Sequence, residues 1–467
     1  MRTTKSFRVV LGAAAFLTPL ALTQSASASG FSTARFGGEH GHPTTDNPTA
    51  IYYNPAGLAE DTPGWEKKDW RLKFFIDGNL ALRWAGWTHA ASASDSEPDD
   101  AKGANSGQAD LFNVAAAPFA GASFQYKDLG IGLGFYVPFG GASAWGKNDA
   151  FKDNKKYAGP YDGVQRWHAI DGTIRSIYVS LGVAYDILDR VSIGVSGNLV
   201  MNEVKTIRAR NSDGSNDIDL EGRSLIDVSG ITGSLGVGII GEIEPEKVWI
   251  GFSYQSQPGF GENTLEGTLT NFLAGSREDP ADIKFLQSLP DIYRLGVRAR
   301  PIKDVELRVF GDVTNWSVMN RQCVIPAKQD TCDLNEDGSA KPGDSTILQL
   351  ARNWGPAFGV RVGGSYWVVP EAELFLGVGY DSNAIPDSTL EPALTDFHKA
   401  SLAGGARVTI GETFAAALSY THIFYAPRDT TGESVLPSLA PPSRTPDSGG
   451  EYTQTIGVIN ANVQLSF

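Results

Sequence analysis

The 467-residue chain has only two cysteines and three methionines, and no interior apolar run reaches the roughly 18 residues that a membrane-crossing helix needs. A bundle of transmembrane helices is thereby excluded. Positive charge is scarce too: 39 Lys and Arg face 53 Asp and Glu, for a formal charge of −14. Nucleic-acid affinity rests on Lys and Arg neutralising phosphates, so this acidic chain is a poor partner for DNA or RNA. What is plentiful is glycine, 53 residues without the every-third spacing of collagen, and aromatic side chains, with 10 Trp, 15 Tyr and 23 Phe. That composition points to many strands and turns.

The first residues carry the pattern of an export signal. Arg2, Lys5 and Arg8 form a basic lead, Val9 to Leu22 an apolar stretch too short to span a bilayer, and Ala26-Ser27-Ala28 a small-residue cleavage site. We expect residues 1–28 to be removed on export. In an oxidising compartment, Cys323 and Cys332, nine apart in a polar segment, pair most simply as a loop disulfide. Zinc thiolates are the alternative, but they would need two further ligands at suitable spacing.

A period of two runs through the rest of the chain. From Asp304 to Trp316, Val305, Leu307, Val309 and Val313 share one face, opposed by Glu306, Arg308, Asp312 and Thr314. Tyr293, Leu295, Val297 and Ala299 oppose Arg294, Gly296, Arg298 and Arg300. Ile193 and Val195 oppose Ser192 and Ser196, and the chain ends with Ile459, Val463, Leu465 and Phe467 against Asn460, Gln464 and Ser466. Successive strand residues point to opposite faces, so each segment has one apolar and one polar side. Runs of about ten residues or more exceed the five to six usual in a soluble sheet and match a tilted strand crossing a bilayer. Short turns fall near residues 126–128, 186–190, 242–247, 301–304, 369–371 and 411–412. Long polar stretches lie near 89–108, 142–170, 209–221, 258–290, 320–350, 382–398 and 426–450. Thirteen connections imply fourteen strands, and alternation of short and long connections is the up-and-down pattern of an outer-membrane β-barrel. The predicted fold is therefore an all-β, fourteen-stranded antiparallel transmembrane barrel over residues 67–467, with periplasmic chain ends. Aromatics near strand ends, among them Tyr185, Tyr254, Trp316, Trp367, Tyr380 and Tyr420, suit interfacial girdles.

Residues 29–66 do not alternate. They contain Asn47-Pro48 and Asn54-Pro55-Ala56-Gly57, and Asn before Pro suits a helix start, the Asn side chain capping free N–H groups while Pro presets φ. Two such starts suggest a plug of short helices; an ordinary periplasmic tail is the other reading.

At these residues the chain resembles the FadL-type outer-membrane transporters of long-chain fatty acids and other hydrophobic compounds (OmpP1/FadL/TodX). Ser29-Gly30-Phe31, Asp46 to Ala50 and Tyr53 to Leu58 are similar to the family's N-terminal hatch, and Gly130 to Gly140 to its third strand. Leu289-Pro290-Asp291, Trp316-Ser317 and Gly377 to Asp381 resemble later segments. The resemblance implies a barrel plugged by a hatch at residues 29–66, passive uptake by loop capture, a gated lumen pocket, and sideways exit at a kink in the third strand. It also implies a monomer inserted by the barrel assembly machinery into the outer membrane of a Gram-negative bacterium, among lipopolysaccharide, with a hydrophobic small molecule as ligand. A general aqueous porin is the rival reading, and an outer-membrane lipid-modifying enzyme a lesser one. No cofactor is expected. His40, His42, His89, His168, His398 and His422 lie in no catalytic signature with a serine.

Several residues have two readings. Gly130, Gly132 and Gly134 mark either the kink and lateral exit or close packing against the plug. Arg294, Arg298, Arg300, Arg308 and Arg361, on faces expected to point inward, either receive a ligand carboxylate or pair with Glu306 and Asp312. Asp333, Asn335, Asp337, Gly338 and Asp344 follow a calcium-loop order, with Asp in place of the usual final Glu and Pro342 inside; a solvated acidic turn is the alternative. Glu39, His40 and His42 are a weak metal triplet against an ordinary surface pair, and Asp95 to Asp100 reads as a solvated loop tip.

Overall fold

A computed structural model describes residues 34–66, 68–188, 190–273 and 276–467. The expected signal segment and residues 29–33 lie outside the described residues.

Fourteen strands close into one antiparallel barrel. In chain order they are β1 (Trp70–His89), β2 (Gly107–Tyr126), β3 (Leu129–Ala142), β4 (Asp171–Leu188), β5 (Val191–Arg210), β6 (Gly222–Glu244) and β7 (Val248–Gln255). There follow β8 (Ile292–Ile302), β9 (Val305–Thr314), β10 (Ala357–Val369), β11 (Ala372–Asp381), β12 (Lys399–Ile410), β13 (Phe414–Tyr425) and β14 (Glu451–Ser466). Each pairs with its neighbour, and β14 returns to β1 with Lys73 opposite Ser466, so the sheet closes on itself. The six short connections and seven long ones fall where the sequence placed them.

The faces are inverted relative to a soluble protein. On β9, Leu307, Val309 and Val313 are exposed while Glu306 and Arg308 are buried; on β8, Tyr293, Leu295 and Val297 are exposed while Arg294 and Arg298 are buried. The apolar face meets lipid, and the wall encloses a polar interior. Of the expected girdle aromatics, Tyr185, Tyr380 and Tyr420 do face outward. Trp316 does not: it is fully buried, edge-on to Phe139 at 5.8 Å and to Trp354 at 5.1 Å. It lies in a short 3-10 turn after β9, where period-two reasoning no longer applies.

Above the wall, β6 outruns β7. Its residues 223–229 pair with Glu262–Leu273 of the next long connection. The added sheet continues through Ala281–Ser288 and Arg321–Pro326 to Leu348–Ala351. The Cys323–Cys332 disulfide, Cα atoms 6.4 Å apart, closes a loop off this sheet.

Candidate functional site: a lumen chamber, a basic cleft and a window in the wall

Residues 34–66 lie within the ring of strands, touching it on every side. Asp77 of β1 accepts from the Gly37 amide at 3.0 Å, His40 pairs with Glu373 of β11 at 2.9 Å, and Ser253 Oγ of β7 donates to the Tyr53 carbonyl at 2.6 Å. Of the two Asn-Pro steps, Asn54-Pro55 starts a helical turn as the sequence suggests, whereas the turn after Asn47-Pro48 begins two residues later, at Ala50. Asn47 Oδ1 accepts from the Thr49 amide at 2.8 Å, ahead of the single helical turn Ala50–Tyr53. Asn54 caps the 3-10 turn Pro55–Leu58 by accepting from the Ala56 amide at 3.1 Å. The Asn54 amide also donates to the carbonyls of Pro43 at 2.8 Å and Ile239 at 3.1 Å, tying the segment to β6. Pro48, Pro55, Ala56 and Gly57 are all buried.

Gly130, Gly132 and Gly134 do not bend β3. They pair regularly with Gln125, Ser123 and Gly121 of β2 and with Ala184, Gly182 and Ser180 of β4. A Cβ at Gly132 would stand 2.6 Å from the Leu58 side chain, and one at Gly134 2.8 Å from Ile51, so these glycines make room for the amino-terminal segment. The expected kink there is thus corrected: the bend comes later, at Val137-Pro138. The β3–β4 register shifts by one residue between Tyr136 and Phe139, and alternation stops, every residue from Tyr136 to Ala142 being buried. Pairing of β3 with β2 ends at Phe119 opposite Tyr136. Beyond the end of β3, Trp145 forms an isolated bridge with Leu111 of β2. Among the described residues, 112–118 therefore have no strand partner on that side, and the backbone ladder has a gap there, termed the window.

The sequence-nominated arginines all have protein partners. Arg294 donates to the Tyr52 carbonyl at 3.3 Å and lies 4.4 Å over its ring. Arg298 meets Asp46 at 3.4 Å and stacks 4.4 Å over Trp249. Arg300 donates to the Pro63 carbonyl at 3.1 Å; Arg308 reaches Ser365 at 2.7 Å and Glu306 at 3.4 Å. Arg361 bridges Asp312 at 2.9 Å and Asp381 at 2.7 Å. They fasten wall to wall, or wall to the amino-terminal segment.

A different arginine is without a partner. Beneath the outer loops is a small, mainly apolar chamber, walled by Ile174, Val204, Ile226, Phe285, Leu348 and Leu350. Gly141 and Ala142 of the inward-turned β3 form part of it, so it adjoins the window strand. Arg208 of β5 reaches this chamber, 5% exposed, and among the described residues its side chain makes no hydrogen bond or ion pair. The nearby carboxylate is already engaged: Glu391 meets Arg352 at 2.5 Å and His168 at 3.3 Å. Arg208 and Leu348 also line a second, outer cleft with Arg210 and Arg444, in which no lining residue is acidic. The signal for Arg208 was present in the sequence. The inward face of β5, Ser192, Ser196, Asn198 and Asn202, reaches position 208 if the same alternation is continued.

The calcium-order loop uses its carboxylates on its own backbone: Asp344 accepts from the Asp333 amide at 2.8 Å, and Asp337 from the Ser339 amide at 2.9 Å. Among the described residues no three His, Cys, Asp or Glu side chains are grouped so as to hold a metal. Neither Glu39, His40 and His42 nor the acidic loop forms such a group. His40 is spent on Glu373, and His42 accepts from the Thr44 amide at 3.3 Å.

A closed barrel with a lipid-facing apolar surface, a lumen segment and an apolar chamber defines an outer-membrane transport protein for hydrophobic compounds. The chain belongs to the outer membrane protein transport protein family (OMPP1/FadL/TodX), whose model matches residues 13–426. Its members are transport proteins, not enzymes. A Neisseria meningitidis serogroup B protein described as an outer membrane protein is 22% identical over 403 residues, 80% of each chain. A Pseudomonas aeruginosa FadL homologue has the same fold, with TM-score 0.69 at 15% identity over 95% of this chain and 99% of that one. The Pseudomonas putida toluene transporter TodX gives 0.60 at 13% over 95% and 99%, and the Ralstonia pickettii toluene transporter TbuX 0.57 at 14% over 95% and 97%.

Proposed function

We propose that this transporter takes up apolar molecules with an anionic head, long-chain fatty acids being the fitting class, and releases them sideways into the membrane. An acyl chain loses about 0.8 kcal/mol per CH₂ placed in water, so it gains from an apolar conduit rather than a wet pore. The basic outer cleft attracts the head, Arg208 passes it into the chamber, and the apolar walls take the tail. The amino-terminal segment stops the lumen below, so the inward-turned end of β3 and the window beside it offer the way out. Movement of that segment, pinned by ion pairs such as Asp46–Arg298, would gate release.

The observation that carries this reading is Arg208. Its guanidinium faces the chamber without a protein acceptor, and an incoming carboxylate supplies two bonds in a paired geometry. The neutral cargo named for the toluene transporters would leave it unpaired. Calorimetry on the detergent-purified barrel tests the point with oleate and oleyl alcohol. Arg208→Leu should weaken oleate about tenfold or more, as loss of a charged hydrogen bond of about 1.5–3 kcal/mol implies, and leave the alcohol unchanged. Equal affinities for both ligands in the parent protein would overturn the anionic head.

A further inference from the structure

The window is held open by particular side chains, and how they do it is not implied by the transport reading alone. An antiparallel pair that begins to zip normally continues, because each further residue closes backbone groups that are otherwise unsatisfied. Next to lipid those groups are costly. Here β2 and β3 pair from Tyr126–Leu129 up to Phe119–Tyr136 and then part. Continuing that register would set Pro118 opposite Val137 and Ala117 opposite Pro138. Each strand thus carries a proline at the fork, and proline has no N–H to give a ladder. The prolines explain why pairing falters, but not why six further residues of β3 stay away.

The carbonyl of Ala142, at the far end of β3, is gripped by two donors. Arg83 Nη1 of β1 donates to it at 3.0 Å, and Asn113 Nδ2 of β2 at 2.8 Å. Arg83 is itself fixed, its Nε on Gln454 of β14 at 2.9 Å and its Nη2 on Thr395 of an outer loop at 2.9 Å. It has no carboxylate partner within ion-pair distance among the described residues, and both Arg83 and Asn113 are buried on the inner face. Asn113 lies inside the unpaired stretch of β2. Its side chain therefore crosses the gap that a backbone ladder would otherwise close.

We infer that Arg83 and Asn113 form a latch on the Ala142 carbonyl that holds the outer half of β3 inside the barrel and keeps the window open. They are positioning residues for sideways release, and the inference rests on the lateral route proposed above. In the parent protein the latch replaces ladder bonds by one charged and one neutral side-chain bond to a single carbonyl. Without it, β3 is free to fall back against β2.

The test is amide hydrogen exchange on the purified full-length barrel, together with oleate uptake by cells carrying it. In Arg83→Met/Asn113→Ala, exchange of those 112–117 amides that point away from β1 should slow about tenfold and oleate uptake fall at least fivefold, while oleate binding to the purified barrel is kept because Arg208 is intact. Folding is checked by heat-modifiable gel mobility. Asn113→Ala alone, the milder change, should show the same directions at smaller size, and Arg83→Lys, which retains a donor, should restore most of the parent behaviour. Unchanged exchange at 112–117 in a folded double variant overturns the latch. Slowed exchange with undiminished uptake overturns the sideways route instead, so the two failures are distinguishable.

Discussion

At the scale of single residues, the arginines nominated from the sequence differ from Arg208 in having acceptors within the protein. Arg294, Arg298, Arg308 and Arg361 each have acceptors in the wall or the amino-terminal segment, whereas Arg208 faces the chamber alone. The Glu391–Arg352 pair shows what such charges are worth when satisfied. Both side chains are almost fully buried. Burial by itself pushes the Glu391 carboxyl up, but Arg352 and then His168 outweigh it and hold the group well below the usual carboxylate range. A depressed folded-state value means that this contribution is present above the ordinary carboxylate range and is lost as pH falls through and below it. Arg352→Met should therefore destabilise the outer cap by about 3–5 kcal/mol at neutral pH, the cost of stripping one partner from a buried pair. The difference between variant and parent should shrink in acid, which thermal unfolding followed at both pH values would show. Of the candidate residues, the Asn54 cap before Pro55 was legible because capping is local. The inward direction of Arg208 was legible by continuing the alternation of β5, but its lack of a protein partner was not, because that depends on what the rest of the lumen brings near it.

At the scale of elements, the strands read directly from alternation and the irregular segments did not. Val309 and Leu307 of β9 point outward, so a charge there enters lipid. Val309→Arg should lower the barrel's stability by up to about 2–4 kcal/mol, the cost at the bilayer midplane, and Leu307→Arg, nearer the short turn, by less. Urea unfolding in lipid vesicles measures both. β3 is the exception within the wall. Its glycines drew attention in the sequence, yet they serve the close approach of Leu58 and Ile51, while the bend belongs to Val137-Pro138. Glycine permits several backbone outcomes, and which one occurs depends on what packs against it. Trp316 failed as a girdle residue for a related reason: one turn past a strand end, direction is no longer set by the pleat.

At the scale of the whole molecule, side chains from distant strands tie the amino-terminal segment and the outer loops to the wall. Gly37, His40 and Tyr53 of the amino-terminal segment are bonded to β1, β11 and β7. Deleting residues 29–66 should convert the barrel into an open channel, seen as a large rise in single-channel conductance in planar bilayers. Conductance equal to that of the intact protein would mean that the segment does not stop the lumen. Above, the disulfide between Cys323 and Cys332 closes a loop off the sheet that roofs the chamber. Reduction should loosen that roof and leave the barrel folded, so exchange should quicken across 321–351 but not in β8 to β14.

The sequence by itself determined the strand number, the positions of the turns and the outward direction of the apolar face. Each of these follows from period-two alternation and from connection length, which are local properties of the chain. Only the tertiary structure decided which buried charges are neutralised, where β3 leaves the wall, and how the chamber meets the window. Those depend on side chains from strands far apart in the sequence meeting across the lumen, as Arg83, Asn113 and Ala142 do, and no local pattern records such a meeting.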